Sequence, residues 1–406
     1  MKKIYGGLFA FVLVVISFLC YELYHDNNKY LVENSRSKSI VNNGNTISIM
    51  LETGSGSGEY QESSSSSWPT DLIFNSKLSK CTNGGEISWD ATNKKVVVKS
   101  SSVDNCYAYF DVNILTDYVK SLYTGTQGAN GLYYHDVSLS NGAGDNSYRY
   151  SGANPNNYVC FGTNATPCPT DNLYRIVGVF GDKVKLIKYD YATSALLGTD
   201  GDYYYRSTKV NTYYWNYKAT NKGSNTWSTS LLNKTNLNTN FITNIGTEWA
   251  NKIATTTWKV GGNTSANIRK VVQATTYQNE IVNPVTTNTT DNATEYSAKI
   301  GLMYASDYGF AADPSAWTKT LYDYDGSVNG SRIRSLNWMY NGGSYEWTIS
   351  RDSSDGYTVL GVSTSGAVTI HDASSTDKGV RPSFNLESSV TYVSGSGSAD
   401  DPIRIG

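Results

Sequence analysis

The stretch LYRIVGVFGDKVKLIKYDY, Leu173–Tyr191, decides the fold of the larger part of this chain. Two runs rich in Val, Ile and Leu flank Gly181-Asp182, and glycine beside a short polar residue suits a tight hairpin turn. The pattern predicts an antiparallel pair in a globular region that starts near Tyr158. A second stretch, KGVRPSFNL (Lys378–Leu386), turns apolar after a long polar run. Pro382 holds Arg381 extended and removes one backbone donor, which predicts a strand start or an edge. Gly379 permits the turn into it. Arg381 reads as structural, its guanidinium bound to backbone carbonyls or to a carboxylate such as Glu346.

Between these stretches lie two predicted helices. STSLLNKTNLNTNFITNIG carries Leu231, Leu232, Phe241, Ile242 and Ile245, and TEWANKIAT carries Trp249 and Ile253. An Asn/Thr-rich loop, Asn283–Glu295, follows, and YSAKIGLMYASDYGFA (Tyr296–Ala311) returns to strand character. Short strands continue through YEWTISR, GYTVLGVS, GAVTIH, VRPSFNL and VTYVSG. One hairpin, two helices and a meander make an α+β domain.

The N-terminus reads differently. MKKIYGGLFAFVLVVISFLCYELY has no charge from Ile4 to Tyr21, near the lower limit for a membrane-spanning helix. Lys2 and Lys3 would stay inside, which places the rest of the chain outside the cell membrane. The bulky residues after the apolar run lack a small-x-small cleavage site, favouring an uncleaved anchor over a signal peptide.

The expected organisation is an anchor at 1–24, a stalk at 25–47 and a small disulfide-linked all-β module at 48–112. A helix and Gly/Asn-rich linker at 113–157 lead to the head at 158–406. Within the module, Glu86–Trp89 and Lys95–Lys99 flank an Asp/Asn turn. Thr53–Pro69 reads as a flexible linker or as a long loop between strands. Ile114, Leu115, Tyr118, Val119 and Leu122 share one helical face after Asn113. Cys81, Cys106, Cys160 and Cys168 make an even set in an exported region, so two disulfides are expected. Sequence neighbours favour Cys81–Cys106 and Cys160–Cys168 among three possible pairings.

The 406 residues carry 33 basic and 35 acidic side chains, no excess that would draw the chain to nucleic acid. Charged residues are only 17%, while 33 Tyr and 9 Trp argue against disorder. This composition suits an extracellular β-rich protein.

Tyr-Arg-Ile-Val opening a hairpin, then W-S-x-S-x-L-L-N, W-T-I-S-R, a turn at Gly366 and GVRPSFNL form an order that resembles a known family. It is similar to C-type-lectin-like domains of the branch related to formylglycine-generating enzymes, as found in surface proteins of gut Firmicutes. The likeness covers Tyr158 to Gly406, and CTNGGEISW…DNCYAYFD resembles a module that accompanies such domains. It implies a bacterial cell-surface binding or adhesion protein whose last strands carry ligand-facing loops. The same branch includes receptor-binding proteins diversified by retroelements.

Arg351–Asp377 is therefore the expected binding surface, with Arg351, Asp352, Asp355, Tyr357, Thr358, Ser363, Thr364, His371 and Asp372 as ligand contacts, a mix typical of loop paratopes. The expected ligand is a glycan, a surface protein or a phage component. Absence of Glu, Lys, Met, Gln and Trp from all 27 residues of this run fits adenine-directed codon diversification, and strand and turn bias gives the same absence. The competing function is a structural cell-envelope protein, and a carbohydrate-active enzyme comes third.

No metal or cofactor is expected. DYDGS (Asp323–Ser327) lacks the remaining ligands of a calcium loop, and Asp307, Asp313 and Asp323 are too scattered to assign. With no cysteine after Cys168, the resemblance does not extend to oxidase chemistry, and the second domain lacks a Ser/His/Asp set. Trp215, Trp227, Trp249, Trp258, Trp338 and Trp347 read mostly as core. The aromatics of NTYYWNY, Asn211–Tyr217, exceed what one buried face uses. The expectation is a non-enzymatic binding protein.

Overall fold

A computed structural model describes residues 40–406 except 43, 55, 71, 201, 206–209, 217–222, 265–267, 269 and 286–293. The expected anchor and most of the stalk lie outside the described residues. Among the described residues no helix is long and apolar enough to cross a membrane. The chain divides into two units, one ending at Val112 and one running from Asn113 to Gly406.

In the first unit, apolar residues alternate along Asn45–Glu52, burying Ile47 and Ile49 on one face. This strand runs parallel to Asn105–Asp111, whose Cys106, Ala108 and Phe110 alternate in the same way. Ile40–Asn42, Tyr60–Glu62, Ile73–Phe74 and Lys80–Cys81 complete the sheet. Glu86–Asp90 pairs with Lys95–Lys99 as a separate hairpin. Cys81 and Cys106 face each other in register and are bonded, as are Cys160 and Cys168 in the second unit.

The second unit is built on the hairpin Leu173–Phe180 and Lys183–Lys188, which turns on Gly181 at φ +65°. Lys183–Lys188 is interior. It pairs on one side with Leu173–Phe180 and on the other with Ser383–Asn385, the strand after Pro382. The full order is Ile300–Gly301, Ser383–Asn385, Lys183–Lys188, Leu173–Phe180, Ser147–Tyr150 and Leu132–His135, with Tyr158–Cys160 also on Leu173–Phe180. Phe384 packs against Phe161 at 4.9 Å and Tyr174 at 5.5 Å, so the closing strand is a core strand. A second sheet carries Tyr345–Asp352, Thr358–Val362 and Val368–Asp372, with Gly262–Asn263 and Lys378–Gly379 added in parallel.

These findings overturn the expected α+β architecture, a C-type-lectin-like head of antiparallel strands and two helices behind an all-β module, while the expected transmembrane helix falls on residues outside those described. The described chain is mostly sheet, with 34% strand and 20% helix spread over several small sheets. Segments without hydrophobic periodicity, such as Leu132–His135 and Ser147–Tyr150, become strands because a neighbour supplies their hydrogen bonds. Leu232–Phe241 winds as a π-helix, and Asn233 and Asn236 are wholly buried there. Their side-chain amides satisfy the carbonyls of Trp227, Leu197 and Asp200, a role that apolar spacing does not reveal. Ala305–Ala311, read as strand, is a helix.

Arg381 and Glu346 form the pair expected from the sequence. Nε donates to Oε1 at 2.7 Å and Nη2 to Oε2 at 2.9 Å, with both side chains only 3% exposed. Gly379 is required for packing rather than for turning, since a Cβ there would lie 2.5 Å from the Tyr191 ring. Replacing Arg381 with Met strands a buried carboxylate and is expected to cost about 3–5 kcal/mol in denaturant unfolding. Adding Glu346→Leu is expected to restore most of that loss, and a single-variant cost below about 1 kcal/mol would contradict the pairing.

Candidate functional site

The regular strand Lys183–Lys188 sends Lys185 and Lys188 to opposite faces, because side chains alternate and these two are three residues apart. Opposite it, Leu173–Phe180 carries one extra residue between Ile176 and Gly178. That irregularity brings Arg149, Gly178, Lys185 and Asn385 into one row across four strands. Gly178 has no alternative, since a Cβ would lie 2.3 Å from the Tyr148 carbonyl oxygen. The two cations thus flank a position that carries no side chain of its own. Phe180 lies beneath both, 4.6 Å from the Arg149 guanidinium and 5.8 Å from the Lys185 ammonium.

The first turn of the helix Ala305–Ala311 covers this row. Asp307 Oδ2 accepts from the Tyr304 backbone N–H at 2.9 Å, which caps the helix, and from Lys185 Nζ at 2.5 Å. Arg149 Nη1 lies 3.6 Å from Asp307 Oδ1, an ionic contact. Asp145 takes the other side of Arg149 at 2.6 Å and accepts from the Tyr277 hydroxyl at 2.8 Å. Burial opposes its ionisation, yet Arg149 and the Ser147 hydroxyl hold its carboxyl well below the ordinary range. Two cations face two carboxylates, so the row is internally balanced.

Glu280 enters from the helical segment Gln273–Val282 and accepts from the Ser306 N–H at 3.1 Å. It is wholly buried, and burial pushes its carboxyl up to about 7 against the Ser350 and Ser306 hydroxyls. His135 accepts from the Ala143 N–H through Nδ1, with its ring against Phe310 and Trp317. Burial, then the Arg149 charge, hold it neutral.

Beside the Lys185–Asp307 pair opens a cavity of about 260 Å³. Trp258, Tyr304, Tyr277 and Phe180 wall it, Lys185 and Asp307 sit at its base, and exposed Thr257 lies on its wall. Asn385, on the same row, donates to Thr256 Oγ1 at 3.2 Å.

The residues of Arg351–Asp377 are placed otherwise. Arg351, Asp352, Thr358 and Ser363 are buried, so they offer no exposed contact. Arg351 is strand interior, beside Gly262 and Val359, and Asp352 Oδ1 accepts from the Ser354 N–H and hydroxyl. Asp355 accepts from Tyr357 N–H, Thr358 N–H and the Thr358 hydroxyl, which fixes the turn. Tyr357 is exposed at that turn, whereas exposed Thr364 sits at the opposite end of Thr358–Val362, about 16 Å away at strand rise. His371 lies part-buried between Tyr345 and Trp347, bonded to Thr369, and burial lowers its pKa to about 4. Asp372 is part-buried at the end of its strand. The set therefore does not converge on one patch. The physical reason is that the sheet face of this segment packs into the core through Val359, Leu360, Val362 and Val368.

All six Trp singled out in the second unit are buried, and within NTYYWNY, Tyr213 and Trp215 are fully enclosed. Among the described residues the set closest to metal geometry is Cys81, Asp104 and Cys106, whose sulfurs are spent in a disulfide. Sequence reading missed Arg149, Lys185 and Glu280, and weighed Asp307 only as a calcium ligand. Lysines inside the apolar strand VKLIK were the available signal, since lysine is almost never fully buried without a partner.

No family model matches the chain, and neither does any curated protein or solved structure. The likeness to C-type-lectin-like domains rests on the quoted motifs alone.

Glu280 supplies a pH test. Its folded pKa stands above the ordinary 4.5, so the folded state keeps a proton that the unfolded chain releases. Its contribution is present below about pH 4.5 and is lost as pH rises to about 7, by roughly 3 kcal/mol. Glu280→Gln is expected to melt near wild type at about pH 5 and clearly above it at about pH 8. A melting difference that does not change with pH would contradict this environment.

Proposed function

We propose that this chain is an exported, ligand-binding protein of the cell surface whose second unit holds one uncharged sugar ring in the cavity beside Lys185 and Asp307. The observation that carries this reading is an aromatic-walled cavity over an ion pair that satisfies itself. Aromatic faces accept the C–H face of a sugar, and Thr256, Lys259 and Asn385 supply polar groups around it. Because Arg149 and Lys185 are matched by Asp145 and Asp307, the base favours a neutral polyol over an ion. At about 260 Å³ the cavity falls just below the range for drug-sized ligands, roughly 300–1,000 Å³, which suits a single ring.

Neither carboxyl whose pKa burial raises, Glu280 or Glu346, is on the cavity wall, which supports binding over turnover. Two disulfides support an oxidising location, and the uncharged run Ile4–Tyr21 is the proposed membrane anchor.

Calorimetry of the full chain against neutral monosaccharides and short oligosaccharides tests the reading. At least one neutral sugar is expected to bind. Thr257→Trp, at an exposed wall position, is expected to weaken it at least about tenfold without lowering the melting temperature. Absence of binding by every neutral sugar, or full binding in Thr257→Trp, would remove the site.

A further inference from the structure

The other face of the central strand carries a different kind of lysine. Lys188 is 1% exposed, and among the described residues its Nζ has no hydrogen-bond partner. Its backbone is fixed by the Tyr174 pairing and by donation to the Pro382 carbonyl. Where Lys185 has Asp307, Lys188 has nothing comparable. Arg381 nearby is occupied by Glu346, and Asp190 accepts from the Tyr191 N–H and the Asn341 amide. A buried ammonium without an acceptor is destabilising, and a fold keeps such a group chiefly where something else uses it.

Lys188 lines a separate cavity of about 210 Å³. Phe161, Tyr174, Leu196 and Ile245 give it apolar walls, and Asn172 and Thr193 add polar groups. Gly162, at φ +89°, belongs to the same wall, and a Cβ there would meet the Asn172 amide at 2.8 Å. Asp171 is also on the wall and exposed to solvent.

We infer that this cavity binds the carboxylate of a small organic acid, with Lys188 Nζ donating to it and the apolar walls taking its carbon skeleton. A single cation suits one carboxylate, and the apolar walls favour an organic acid over an inorganic anion. Burial lowers the lysine pKa, with Asp171 and Asp190 opposing, and an arriving anion would reverse that shift. This site is independent of the neutral-sugar cavity, and neither reading needs the other.

The test is a thermal-shift and calorimetric series on the full chain with butyrate, glycine and glucuronate, and with glucose as the uncharged control. These arms separate a fatty acid, an amino acid and an acidic sugar. At least one carboxylate is expected to raise the melting temperature by several degrees. Its affinity is expected to fall at least about tenfold in Lys188→Met and to survive in Lys188→Arg. Without ligand, Lys188→Met is expected to melt above wild type, because it keeps the stem and removes the unmatched charge. No shift with any carboxylate at about 10 mM, or equal affinity in Lys188→Met, would overturn the inference. So would a lower melting temperature of unliganded Lys188→Met, which would mean that the ammonium has a stabilising partner.

Discussion

Asp307 is the residue on which the second unit depends. One of its oxygens caps the helix Ala305–Ala311 and receives the Lys185 ammonium, while the other faces Arg149. A single carboxylate thus ties a helix start to two strands of the main sheet. Burying it alone would be unfavourable, and burying either cation alone would be equally so. Together with Asp145 they balance, and their packing against Phe180, Tyr277 and Phe310 keeps water from replacing the contacts.

The geometry of that cluster is backbone geometry first. An extra residue opposite Lys185 and Leu186 shifts the register, and Gly178 alone fits the crowded position it creates. The central strand then divides labour between its faces. Lys185 is matched and lies beneath an aromatic-walled cavity; Lys188 is unmatched and lines another. A matched ion pair suits a neutral ligand and an unmatched cation suits an anion, so one hexapeptide, KVKLIK, frames two recognition chemistries.

Much of the framework was legible in the sequence. The Gly181-Asp182 hairpin, the closing strand after Pro382, the Arg381–Glu346 pair, the hairpin after Glu86 and the two cysteine pairs follow from local rules that tertiary context did not override. The site was not legible for three physical reasons. Asp307 lies 122 residues from Lys185, and no local pattern links them. The helix that presents it is seven residues long and buried on every side, so it shows no polar face to mark its period. The polar run Arg351–Asp377 looked like surface because of its Ser, Thr and Asp, yet those side chains satisfy their own turns while the intervening Val and Leu enter the core. Polarity in a sequence does not distinguish groups that meet solvent from groups that meet each other.

The most direct test of this account is a double-mutant cycle between Lys185 and Asp307, using Lys185→Met, Asp307→Asn and the pair, read as unfolding free energy. Coupling above about 1.5 kcal/mol is expected if the two charges are buried against each other. Additivity within about 0.5 kcal/mol would contradict it, and the claim that Asp307 joins helix to sheet would fall.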